Sequence, residues 1–184
     1  MPLSAPAPRE PLHTRRIECH GYRRKDGLWD IEGHLVDTKS YAFTNRHRGE
    51  IRPGMALHEM WIRLTLDDQM TVRQVEAVTD AGPFAICGEI TPAFRKLEGL
   101  TIGRGWTRKV RDLLGGTAGC THLVELLGPV ATTAFQTMFS ERERQRRAST
   151  AGAKTKPRPL DSCHALRSDG PVVKEQWPEF YTGS

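Results

Sequence analysis

"ALHEMWIRLTLDDQMTVRQVEAVTD", Ala56 to Asp80, decides how this chain folds. In its first half Met60, Ile62, Leu64 and Leu66 recur at every second position, the period of an extended strand with one apolar face. Asp67-Asp68-Gln69 turns the chain, and a second run follows with Val72, Val75 and Val78 at imperfect spacing. Two such runs around a short polar turn predict an antiparallel hairpin. His58 is a polar outlier near the start of the first run, and alternation points its neighbour Glu59 to the opposite face.

Upstream, "LWDIEGHLVDTKSYAF" (Leu28 to Phe43) mixes β-branched and aromatic residues with polar ones and reads as a strand or bent hairpin. "NRHRGEIRPGM" between them is polar, with Gly and Pro, and reads as a loop. The expectation is a meander of about three strands. Downstream the pattern changes. "TPAFRKLEGL" places Pro92 after a Thr cap, and "GWTRKVRDLLGG" spaces Val110, Leu113 and Leu114 helically before closing on glycine. "CTHLVELLGPVATTAFQTMFSERERQRR" carries a helical stripe of Leu123, Leu126, Leu127, Val130, Ala134, Phe135 and Met138, which Pro129 is expected to kink or split. Strands first and helices second predict an α+β fold: a small antiparallel sheet of about three strands with helices packed on one face.

With 184 residues, the chain suits one domain plus tails. No stretch approaches the ~20 apolar residues of a membrane helix, and "MPLSAPAPREPLHTRR" has no apolar region of a secretory leader. A cytoplasmic protein with reduced thiols and no membrane partner is expected. The net charge of +5 is local: residues 141–160 hold seven Lys/Arg against two Asp/Glu, so the rest of the chain balances. The expected organisation is a flexible N-terminal arm (1–16), an α+β metal-site domain (17–140), a basic helix end and linker (141–160), and a C-terminal extension packing on the domain (161–184). Nucleic-acid binding through 141–160 is an alternative function. It lacks aromatic interleaving and a recognised motif, and a solvated helix end with a linker is the favoured account of the charge.

The chain has four cysteines, Cys19, Cys87, Cys120 and Cys163, and no C-x-x-C pair, which excludes a zinc ribbon and a thioredoxin-type motif. Cys120 stands in "GGTAGCTHL" at the start of the last helix, where the helix dipole favours a thiolate, so it reads as a ligand or a nucleophile. His122 and Glu125 are three apart and share a face, suiting a general acid/base pair. Glu59 is a candidate base for a metal-bound water. Arg23 and Arg24, in "GYRRKDGLWD", form a charge pair able to clamp a carboxylate or phosphate of a substrate. Trp61, Trp106 and Trp177 read as core, with an aromatic pocket as the alternative.

"PGMALHEMWIRLTLDDQMTVRQVEAVTDAGPFAIC" resembles the core of iron–sulfur cluster assembly scaffolds, the family built on the fold of the NifU N-terminal domain. In that family a first Cys leads into a strand, a tight turn and a second strand; a second Cys follows, and a third opens the last helix. Here His58, Cys87 and Cys120 fall at those positions, over roughly Pro53 to Met138. The first ligand is His, Glu59-Met60 replace Gly-Asp, Gly119 stands where the scaffold has His, and the Leu-Pro-Pro chaperone segment is absent. The resemblance therefore implies the fold and the three ligand positions but not cluster building. The chain also resembles a bacterial family of uncharacterised proteins sharing "YRRKDGLWDIEGHLVDTK", "GCTHL" and a "CHAL"-type tail.

Two thiolates and an imidazole suit Zn²⁺ or Fe²⁺, one per chain, and leave a position open for water or substrate. His122, Glu125, Cys163 or His164 could close it. The expected function is a metal-dependent lyase or hydrolase with a mononuclear His58/Cys87/Cys120 site. Its substrate would be a small organic acid or thioester, acidic or aromatic. The alternative is a non-enzymatic metal or iron–sulfur carrier or assembly module.

Overall fold

A computed structural model describes residues 3–149, 156–157 and 159–183. The chain divides into two compact units, Met1–Ser140 and Glu141–Ser184. The first contains a four-stranded antiparallel sheet in the order β1-β2-β5-β6, with β1 His13–Arg23, β2 Trp29–Lys39, β5 Ala56–Leu66 and β6 Val72–Ala81. A separate small hairpin pairs β3 Phe43–Asn45 with β4 Gly49–Ile51. The α+β class holds, with four strands in the main sheet where about three were expected.

The extra strand is β1. Its "HTRRIECHGYR" is polar and almost wholly exposed, as an edge strand can be, so it carries no alternation to read. It begins at His13, inside the segment read as a flexible arm, and pairs along its whole length with β2. In β2 every second residue from Trp29 to Asp37 is buried, which fixes the register. The imperfect valine spacing of β6 has a local cause. Leu66 pairs with Val72 but Thr65 with Gln74, so Arg73 is an extra residue and Val72 and Val75 both turn inward.

After β6 the chain winds through 3₁₀ turns over Ala85–Leu97, with Pro92 inside, where a helix starting at Pro92 was expected. Two helices follow, α1 Trp106–Leu114 and α2 Thr121–Ser149. Pro129 sits inside α2 without dividing it. The Glu125 carbonyl thereby loses its helical N–H donor.

The predicted stripe of α2 forms much of the core: Leu123, Leu126, Leu127, Val130, Ala134 and Met138 are buried with Ile31, Leu35, Met60, Ile62 and Leu64 of the sheet. Phe135 is the exception and is exposed. Helix α2 crosses the sheet closely enough that a Cβ on Gly33 would lie 2.6 Å from the Val130 side chain, so only glycine fits there. Cys19 of β1 meets Thr133, four residues beyond Arg15 and eight beyond that arginine's partner Glu125, so β1 and α2 run alongside each other. Burial pushes the Cys19 thiol up, against the Thr133 hydrogen bond.

In the second unit, α3 Pro171–Gln176 and 3₁₀ turns at His164–Leu166 and Pro178–Phe180 follow a turn held by Asp161. That carboxylate accepts from Lys156 at 2.8 Å and from the Ser168 backbone and hydroxyl, which pull its pKa down to about 2. Residues 150–155 and 158 of the basic segment lie outside the described residues. Among the described residues, no helix is long and apolar enough to cross a membrane.

Candidate metal centre

The core-facing side of the sheet ends in polar residues where β1, β2 and β5 meet the start of α2. Asp37 follows Ile31, Gly33 and Leu35 on the inward face of β2 and is 1 % exposed. His58 precedes Met60, Ile62 and Leu64 on the same face of β5, and the register sets it opposite Asp37. Arg15 of β1 is Asp37's partner on the other side. His122 comes from the first turn of α2.

The glycines before that helix set its entry. Gly119 packs on the end of α1, and a Cβ there would overlap the Leu114 carbonyl oxygen. The chain can then turn at once into α2, whose first bond runs from the Val124 N–H to the Cys120 carbonyl at 2.9 Å.

Asp37 is the hub. Arg15 donates Nε to Oδ1 at 2.8 Å and Nη2 to Oδ2 at 2.7 Å, a two-pronged contact. His13 Nε2 lies 3.2 Å from Oδ1. His58 Nδ1 lies 3.1 Å, and His122 Nε2 3.8 Å, from Oδ2. The two imidazole rings are 3.9 Å apart, centroid to centroid. Arg15 also pairs through Nη1 with Glu125, which ties α2 to β1.

Burial acts on each group. It raises the Asp37 carboxyl, but the Arg15 hydrogen bond and charge, with the nearby His13 and His58, outweigh it and hold the group below the usual carboxylate range. Burial lowers His58, aided by neighbouring His122 and opposed by Asp37. Burial also lowers His122, aided by the Arg15 charge. The hydrogen bond to Asp37 pushes Arg15 further up. Burial thus favours neutral imidazoles beside a charged carboxylate, the charge states that metal ligands of these types need.

One ligand atom each from Asp37, His58 and His122 lies within 4.8 Å of the other two, a spacing able to hold an ion. With metal bonds of ~2.0–2.1 Å, tetrahedral ligands sit about 3.3 Å apart. The two contacts to Asp37 Oδ2, at 3.1 and 3.8 Å, bracket that value.

A family model described as a protein of unknown function, DUF2889, matches residues 13–136, two thirds of the chain. The chain belongs to the DUF2889 family. No curated protein and no solved structure matches it. The DUF2889 segment opens at His13, the first residue of β1, and contains all the residues around Asp37. Cys163 and His164 lie beyond it.

In the DUF2889 domain the residues expected from sequence separate. His58, His122 and Glu125 come together around Asp37 and Arg15. Cys120 stands beside them, with Sγ 4.0 Å from His122 Nδ1 and 3.8 Å from Met60 Sδ. Cys87 does not join the convergent ligand atoms; it packs against Gly82 just past β6. Among the described residues the ligand atoms that converge are those of Asp37, His58 and His122, and of the expected His58/Cys87/Cys120 set only His58 is among them.

Glu59 lies on the outer face of the sheet and meets His34 Nε2 at 3.1 Å, because neighbouring strand residues point to opposite sides. Arg23 and Arg24 sit at the β1–β2 turn, eight residues along β2 from Asp37, roughly 26 Å at the strand rise. Arg24 is engaged by Asp26 at 2.6 Å, and Arg23 lies over the Trp29 ring at 5.4 Å.

Sequence reasoning missed Asp37, Arg15 and His13. Asp37 had a signal, an acid at the fifth position of the alternation Trp29, Ile31, Gly33, Leu35, Asp37. His13 and Arg15 had none, since nothing in an exposed edge strand distinguishes them.

Proposed function

We propose that this DUF2889 protein is a metal-dependent enzyme whose centre is Asp37, His58 and His122. The observation that supports the reading is the convergence of three ligand atoms from three elements around a buried carboxylate. One carboxylate and two imidazoles suit Zn²⁺ or Fe²⁺, and three protein ligands leave positions for water or substrate. Asp37, His58 and His122 would hold the ion, which would displace the proton now shared by His58 Nδ1 and Asp37 Oδ2. Arg15 remains beside Asp37 and offsets its charge when no ion is bound. The ion would activate water or polarise a carbonyl of a small organic acid or thioester, making the protein a hydrolase or lyase. Glu125, 52 % exposed and held by Arg15, is the nearby group able to move a proton.

The test is turnover of a panel of acyl thioesters and 2-hydroxy acids by the metal-loaded chain. The expected result is activity that a chelator removes and Zn²⁺ or Fe²⁺ restores. A carrier would load the metal and turn over nothing.

One observation favours a second reading. Cys120 Sγ, His122 Nδ1, His122 Nε2 and Asp37 Oδ2 follow one another at 4.0 and 3.8 Å, the order of nucleophile, base and orienting acid. Under that reading Cys120 reacts with iodoacetamide at neutral pH, and His122→Ala slows it at least ten-fold in metal-free protein.

A further inference from the structure

A cleft of about 450 Å³ lies between α1 and the first two turns of α2. Its size falls within the range of small-molecule sites. Its wall is apolar along Trp106, Val110, Leu114, Val124 and Leu127. Gly128 adds open space, since a Cβ there would meet nothing within 4 Å. Where the two helices are joined, the cleft is polar. Arg111 and Thr121 line it there, and Arg111 is exposed with no carboxylate partner among the described residues.

Glu125 also lines the cleft and is the residue that pairs with Arg15, so one side chain links the cleft to the Asp37 centre. Its own charge is met by Arg15, which leaves the Arg111 guanidinium as the uncompensated charge of the lining. Trp106 is 5 % exposed and its buried indole N–H has no acceptor among the described residues.

We infer that this cleft binds a small carboxylic acid with an aromatic or aliphatic body, its carboxylate at Arg111 and Thr121 and its body along Trp106, Val124 and Leu127. An apolar wall with one unpaired cation selects this class over amines, which Arg111 repels, and over sugars, which leave the wall unfilled. That the bound acid is the substrate rests on the metal-centre reading; that the cleft takes the acid does not.

The experiment is calorimetric titration of the full chain, in the presence of a chelator, with 2-naphthylacetate and with 2-(2-naphthyl)ethylamine. The acid is expected to bind saturably at one site and the amine not to bind. Arg111→Glu should weaken the acid at least ten-fold, and Gly128→Leu, which fills the open space, should do the same or more. His58→Ala/His122→Ala should leave the affinity within two-fold. Failure of the metal reading leaves these results untouched because no ion is present. Absence of saturable binding, equal binding of the amine, or affinity unmoved by Arg111→Glu overturns the inference. So does loss of binding in the double histidine variant, which would place the acid on the histidines and not in the cleft.

Discussion

The two faces of the sheet carry the same residue types and use them differently. On the outer face His34 stacks on Trp61 at 3.5 Å and meets Glu59, Trp61 donates its indole N–H to Asp80, and Arg63 bridges Glu32 and Glu76. Each contact there is local and water reaches it; Glu59 is 33 % exposed. On the inner face a single carboxylate, 1 % exposed, gathers an arginine and three histidines from three elements. Histidine beside an acid is common to both. Burial and convergence are what distinguish a centre able to hold an ion from a solvated surface pair.

Breaking the hub is expected to have the largest effect. Asp37→Ala leaves Arg15 with the exposed Glu125 alone and removes the buried carboxylate that His13 and His58 meet, and loss of one member of a buried pair costs about 3 kcal/mol. Urea unfolding should show that drop; a loss below ~1 kcal/mol would mean that the inner cluster is no more demanding than the outer one.

A pH series sharpens the contrast. His58 and His122 have folded values below the ordinary histidine pKa of about 6.5. Their contribution to stability is fully present above that pH and is lost as pH falls through the folded values. Asp37, also lowered, adds a contribution present above about pH 4 and lost as pH falls further. Urea midpoints should therefore decline between pH 7 and pH 5 in the wild type and decline less in His58→Gln/His122→Gln. Superimposable curves would show that the two imidazoles are not held neutral.

The smallest effect is expected on the outer face. Glu59→Ala removes a partly exposed contact to His34, and such pairs contribute less than ~1 kcal/mol. A larger loss in urea unfolding would assign the outer face a share of the stability that its exposure denies it.

What was legible in the sequence follows the same division. The β5–β6 hairpin and the α2 stripe were readable because burying one face imposes a period, and even the irregular Val72–Val75 spacing has its cause in one extra residue, Arg73. Strand β1 was invisible because an exposed edge imposes no period. His58 and His122 stand out in the sequence by type and place. Asp37 is legible as an acid in an apolar alternation, but a lone carboxylate is a weaker sign of a Zn²⁺ or Fe²⁺ site than cysteine or histidine. Cys87 stands where β6 gives way to the 3₁₀ turns, a position that does not fix where a side chain converges. That Arg15 and His13 meet Asp37 depends on the β1–β2 register, a long-range pairing that neither segment announces alone.

The most direct measurement is metal content by elemental analysis of chain purified without a histidine tag. It is made beside an inner-face variant, His58→Ala/His122→Ala, and an outer-face variant, His34→Ala/Glu59→Ala. The account predicts about one zinc or iron per chain in the wild type and in the outer-face variant, and none in the inner-face variant. Folded wild type without metal that also fails to take up Zn²⁺ or Fe²⁺, or equal metal in all three proteins, would contradict it.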